Sequence, residues 1–143
     1  MFKPVYPVVA DRVVFMAASG SSFVQGDLVV REVGTGRVQP AVATLANATI
    51  IEGIAKKTGT VTAGDPIEVI FIQSGMLLEA DTTNATAANQ LGKAHLLTDA
   101  ATVNNTSTHS TDIDAVFIAL QMSGTTSANK LIGYIAKLGQ VTA

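Results

Sequence analysis

The sequence predicts an all-β fold: a small antiparallel β-barrel or sandwich with an extended N-terminal arm. Three observations point there. Apolar residues come in runs of about 4–8 broken by Gly, Thr, Asn and Asp, which is the spacing of strands and turns. The strongest runs, around Ile67-Glu68-Val69-Ile70-Phe71-Ile72 and Val116-Phe117-Ile118, are rich in β-branched and aromatic residues. No stretch carries a helical period of ordinary length. The chain has 143 residues, the size of one domain, and a domain of that length buries a core without staples. We divide it into an arm over residues 1–20 and a single β domain over 21–143.

Pro4 and Pro7 hold the first residues extended and remove backbone donors. The arm residues Pro4, Val5, Tyr6, Pro7, Val8 and Val9 suit strand addition to a neighbouring subunit, or equally an edge strand of their own domain. Ser19-Gly20-Ser21-Ser22 reads as a joint. Gly26-Asp27 opens a strand over 28–33, with Leu28 and Val30 on one face and Val29 and Val33 on the other. Gly34-Thr35-Gly36-Arg37 is a hairpin turn returning into 38–42, and 44–49 is small and polar. Residues 50–57 form the next strand. Its Ile51, Gly53 and Ala55 share a face, and such small residues mark the close approach of another backbone.

Lys57-Thr58-Gly59-Thr60 turns the chain toward Gly64-Asp65-Pro66, which feeds the most apolar strand. Ile67, Val69 and Phe71 point one way there; Glu68, Ile70 and Ile72 point the other. Ile67, Val69, Ile70, Phe71 and Ile72 therefore read as a strand buried on both faces, a place where core and subunit contact meet. Gln73-Ser74-Gly75 is a tight turn, and the strand over 76–80 pairs with 67–72 as a hairpin. Residues 85–91 are either a short helical turn capped by Asn84 or a loop. A strand follows over 93–98, then a polar loop over 99–111 of a length that goes with mobility or binding. Strands over 115–122 and 131–138, joined by a loop, complete the chain.

Composition narrows the function. Charged residues are 14% and mean hydropathy is +0.38, against roughly 25% charge in ordinary soluble domains. So little charge covers a free surface poorly, which points to burial in an oligomer or larger assembly. The formal net charge of −2 offers no basic field for nucleic acid. No apolar run reaches the roughly 20 residues of a membrane-spanning helix, and the first residues show no signal-peptide layout. Cysteine is absent, which removes disulfides and thiolate metal chemistry.

No catalytic, cofactor or metal site emerges. His95 and His109 lack companions at ligand spacing and read as core and loop histidines. The pairs Asp112/Asp114 and Glu79/Asp81 each share a strand face. Paired-carboxylate hydrolysis needs them across a cleft, and a calcium ion needs several more oxygens. The nucleophile-elbow, dinucleotide and P-loop patterns are missing, and turn chemistry accounts for the glycines. The Asn-x-Ser/Thr sites at Asn47, Asn84, Asn104 and Asn105 read as chance in a Thr/Asn-rich chain.

Laid out together, Gly26-Asp27-Leu28-Val29-Val30, Glu52-Gly53-Ile54-Ala55, Thr62-Ala63-Gly64-Asp65-Pro66-Ile67-Glu68-Val69, Gly75-Met76-Leu77-Leu78-Glu79-Ala80 and Leu91-Gly92-Lys93-Ala94 resemble the capsid decoration, or head cement, proteins of tailed bacteriophages. The likeness covers about residues 25–97 well and the C-terminal strands loosely. It implies a β-tulip-like domain that trimerises and binds the outside of the expanded capsid. Its partners would be the major capsid protein and itself as a homotrimer, with no nucleic acid, membrane or cofactor. It implies a virion protein of the capsid exterior, made in the host cytoplasm, and not an enzyme.

The loop over 99–111 departs from that pattern and motivates an alternative, a head-fibre or receptor- or glycan-attachment module. A polysaccharide-active enzyme ranks below both. Two expectations follow. Deleting residues 1–18 should weaken capsid attachment but leave the β domain folded. Phe71→Asp should unfold the domain or abolish the trimer.

Overall fold

The computed structural model describes residues 1–6, 12–17, 21–32, 34–42, 50–106, 116–124 and 129–136. Its strands, in order, are β1 (Phe2–Tyr6), β2 (Arg12–Met16), β3 (Ser22–Phe23), β4 (Leu28–Arg31), β5 (Val38–Pro40), β6 (Ile50–Ala55), β7 (Gly59–Thr60), β8 (Pro66–Phe71), β9 (Leu77–Thr82), β10 (Ala94–Asp99), β11 (Thr102–Asn104), β12 (Phe117–Met122) and β13 (Lys130–Ile135). A 3₁₀ turn over Ala88–Gln90 is the one helical element among the described residues.

The strands form two main sheets. In the first, β9, β11, β10, β12 and β13 pair in that order and β13 pairs back onto β9, closing a five-stranded barrel. Closure leaves no open edge in that ring. The second sheet runs β2-β8-β6-β4-β5 and is antiparallel throughout. It curls until Ala17, just past β2, bridges Val38 in β5. A short ribbon of β3 and β7 stands beside it. The expected barrel or sandwich is present, with one parallel ladder, β11 on β9, in the barrel.

Three turns share one construction. Asp27 N–H donates to Val24 O (2.9 Å), Asp65 N–H to Thr62 O (3.0 Å) and Met76 N–H to Gln73 O (3.1 Å). In each, the third residue is a glycine at positive φ: Gly26 at 93°, Gly64 at 86° and Gly75 at 81°. A type II turn demands that geometry at its third position, and glycine adopts it without a Cβ clash. The predicted hairpin turn at Gly34-Thr35-Gly36-Arg37 joins β4 to β5 as expected.

Two apolar clusters fill the chain. The larger draws on both sheets and includes Phe2, Leu28, Val30, Ile51, Ile54, Ile72, Met76, Leu78, Phe117 and Leu131. The smaller lies inside the curled sheet and holds Ala17, Phe23, Val29, Val38, Ala55 and Val69. Strand β4 serves both, sending Leu28 and Val30 to one cluster and Val29 to the other. Ile51 and Ile54, three apart, reach the same cluster because the register slips between Val29 and Val30. The slip puts one extra β6 residue against β4, as a β-bulge does.

Gly53 meets the expectation of close approach. A Cβ there would lie 3.0 Å from the Ile70 carbonyl carbon and well inside contact distance of its oxygen.

Several expectations need correction. The described residues of 1–20 are not a free arm. Over the described positions, β1 pairs antiparallel with β9 and β2 forms an edge of the curled sheet. This is the edge-strand alternative, and Phe2, 1% exposed, shows why: it packs edge-on against Phe117 with ring centroids 6.1 Å apart. Deleting residues 1–18 would therefore remove core, not a tether. Strands β8 and β9 do not form a hairpin, because the Gln73–Met76 turn carries the chain from the curled sheet to the barrel. The expected joint runs into β3 at Ser22, and the expected turn at 57–60 contains β7. Asn84 is not a helix cap, since the 3₁₀ turn starts at Ala88. Residues 99–106 are largely a tight β10–β11 hairpin. Gly20, residues 43–49, 107–115 and 137–138 lie outside the described residues.

Candidate functional site

The residues singled out from the sequence separate into core, seam and surface. In β8, Ile67 packs partly against the smaller cluster and Val69 is fully buried in it. On the other face Ile70 packs against the larger cluster, which Ile72 just beyond the strand joins. The two apolar faces of β8 thus serve two cores of the same chain, with no need of a subunit contact to cover them. Phe71 is the exception, at 38% exposed. It shares the alternation of Val69, but its cross-strand partner is Gly53, which offers no side chain to cover it.

Of the arm residues, Pro4 and Val5 are half-buried in β1. Pro4 stands opposite Leu78 and Tyr6 opposite Leu77. Pro7, Val8 and Val9 lie outside the described residues.

Glu79 and Asp81 do share a face of β9, and what they meet there is a set of cations. Asp81 Oδ2 accepts from the Met1 amine at 2.8 Å, and Asp81 Oδ1 from Lys130 Nζ at 2.6 Å. Glu79 Oε1 lies 3.7 Å from Lys3 Nζ and 3.9 Å from Lys130 Nζ, while Glu79 Oε2 accepts from Ser123 Oγ at 2.7 Å. The pair stitches β1 and β13 onto opposite edges of β9. Partial burial pushes the Asp81 carboxyl upward, but hydrogen bonds from Lys130 and the Met1 amine outweigh it and hold Asp81 below the usual carboxylate range. The Asp81 hydrogen bond holds Lys130 above its usual range.

A carboxyl depressed by folding contributes stability above its unfolded value of about 3.9 and loses it as pH falls through the lower folded value. Asp81→Asn should cost a few tenths to about 1 kcal/mol at pH 7, as exposed ion pairs do. The gap between variant and parent should begin to narrow as pH falls past about 3.9 and close below the lower folded value, as followed by urea titrations into acid.

His95 is fully buried and its Nε2 stands 2.9 Å from the Gln90 carbonyl. A carbonyl only accepts, so Nε2 carries a hydrogen. Asn105, 3% exposed, holds the same segment: its Oδ1 accepts from Asn84 N–H (2.9 Å), and its Nδ2 donates to Asn84 O (2.9 Å) and Gln90 Oε1 (3.2 Å). These groups fasten the segment before β10 to the end of β11. Truncating Asn105 to Ala leaves buried polar groups unpaired and should cost about 1–3 kcal/mol, measured by chemical denaturation; Asn105→Asp should not recover the loss at pH 7, because its second oxygen would face the acceptors Asn84 O and Gln90 Oε1 in place of the donating amide.

Among the described residues, no group of three or more His, Cys, Asp or Glu is placed to hold a metal ion. No helix among them is long and apolar enough to cross a membrane. His109, Asp112 and Asp114 lie outside the described residues. Among the described residues the fold leaves several large apolar side chains on its surface: Met1 is 45% exposed, Met16 51%, Val24 55%, Val42 57% and Leu120 47%, besides Phe71. Sequence alternation had no means of finding these: Met16 and Phe71 end their strands, Val24 and Val42 lie just past β3 and β5, and Leu120 sits at the register slip between Ala119 and Gln121 in β12. Compared with known proteins, the sequence matches no family model and no curated relative.

Proposed function

We propose that the protein is a structural virion component. It binds the outside of an expanded phage capsid as a homotrimer and cements neighbouring major capsid subunits against internal DNA pressure. In this reading it is made in the host cytoplasm, ends on the capsid exterior, and acts by contact, without catalysis, cofactor, nucleic acid or membrane. The observation that carries the reading is the exposed apolar set headed by Phe71, on a chain whose strands already fill two cores and whose charge is only 14%. Large side chains of that kind gain free energy when an interface takes them from water. The Gly-Asp and Gly-Asp-Pro strand entries, with their likeness to capsid decoration proteins, supply the partner. Three linked copies would bind a shell far more tightly than one, through effective concentration.

The test is co-sedimentation of the purified protein with expanded, undecorated phage capsids. Binding at a fixed ratio, in threes, is the expected result. Phe71→Asp is now expected to fold, contrary to the expectation from sequence, because Phe71 is partly in solvent and the carboxylate stays hydrated. It should keep its stability within about 0.5 kcal/mol, as surface substitutions do, and lose capsid binding. Absence of binding to expanded capsids, with binding to host glycans instead, would replace this reading by the attachment module.

A further inference from the structure

We propose that the mouth of the smaller core is a binding site for an extended polypeptide segment that carries an apolar side chain beside an acidic one. The site is a cavity of about 280 Å³ between the β3–β7 ribbon and the start of β8. Phe23, Ala55, Val61 and Ile67 give it an apolar lining that continues into the smaller cluster. That volume accommodates one Leu, Met or Phe side chain with room to spare, and falls just short of the 300–1,000 Å³ of sites for whole small molecules. The lining also includes the exposed Pro66, and the apolar surface continues outward from it: Met16, 51% exposed, stands opposite Pro66 in the β2–β8 ladder. A chain lying across the mouth would meet both.

The charge at the mouth sets the sign of the partner. Lys57 Nζ and a Glu68 carboxylate oxygen are 3.8 Å apart, with the Lys57 side chain 77% exposed and the Glu68 side chain 30%. The cation is therefore the outer member, and the anion lies beneath it. An incoming segment meets the ammonium first, so an acidic side chain next to the apolar anchor is favoured and a basic one repelled. The hydroxyl of Thr58, which accepts from Gln25 N–H at 2.9 Å, keeps its own hydrogen to donate at the same rim. The inference rests on this cavity alone, and stands or falls independently of any capsid.

The experiment is an amide chemical-shift titration of the full chain with three capped tripeptides: Asp-Leu-Asp, Lys-Leu-Lys and Asp-Gly-Asp. Saturable shifts at residues 57–59 and 66–68 with Asp-Leu-Asp are expected, with binding roughly tenfold weaker for the other two. Lys57→Glu should reverse the preference between the charged peptides. Gly59 lies at the rim, its φ is outside the positive region, and a Cβ there meets nothing within 4 Å. Gly59→Phe should therefore fold normally and weaken Asp-Leu-Asp binding by crowding the mouth. Shifts centred elsewhere, equal binding of all three peptides, or affinity unchanged in both variants would overturn the proposal.

Discussion

Phe2→Ala should destabilise the protein by about 3–5 kcal/mol, the range for emptying a buried aromatic site. Phe2 is 1% exposed and packs with Phe117 at an interplanar angle of 64°, an edge-to-face arrangement that adds to its burial. Its backbone N–H donates to Gly26 O at 2.8 Å, so the same residue joins barrel and curled sheet. Removing the ring leaves a void against Phe117 in the larger cluster and slackens that junction. Urea denaturation followed by far-ultraviolet dichroism measures the loss, and Phe2→Leu should recover more than half of it. A loss under about 1 kcal/mol, typical of surface changes, would mean that β1 is a dispensable strand after all. The same reasoning predicts that chains lacking residues 1–18 fail to fold, since they lose β1, β2 and the Met1 and Lys3 contacts to β9.

Gly133→Ala should cost about 3 kcal/mol or more, at the upper end of overpacking effects. Gly133 lies in β13, paired with Ala119 of β12 on one side and Leu78 of β9 on the other, at the strand that closes the barrel. A Cβ there would press into the Ile118 carbonyl, 2.9 Å from its carbon, and would lie 2.8 Å from Phe117 Cζ. Backbone on one side and a buried ring on the other leave no flexible chain end to yield. Gly75→Ala makes a useful contrast. No atom lies near its added methyl, but its φ of 81° is strained for any side chain. Its cost should stay near 1 kcal/mol, the scale of a single left-handed residue. Thermal melts of the two variants separate crowding from backbone strain, and equal losses would refute the assignment of Gly133 as a packing glycine.

The two corrected expectations about β8 and the N terminus have one origin. Alternation along Ile67–Ile72 correctly placed Val69 and Ile70 on opposite faces, and both faces are apolar because each meets a core. The sequence showed two apolar faces but carried no information on whether the second was covered by another copy or by another part of this chain. In the same way Pro4 and Pro7 favoured an extended backbone, which β1 has over its described residues. Which strand it would lie against depended on Leu77–Ala80, more than seventy residues away.

By itself the sequence determined what local chemistry controls: the all-β class, the positive-φ glycine turns at Gly26, Gly64 and Gly75, the alternation within β4 and β8, and the close approach at Gly53. Each of these depends on a few neighbouring residues and on backbone sterics. Only the tertiary structure decided the barrel closure of β13 on β9, the partition into two cores, the capture of β1, the ion pairs around Glu79 and Asp81, and the exposure of Phe71. Those depend on pairings between distant segments. Many such pairings satisfy the same period of two, and the choice among them is made by packing the whole chain at once.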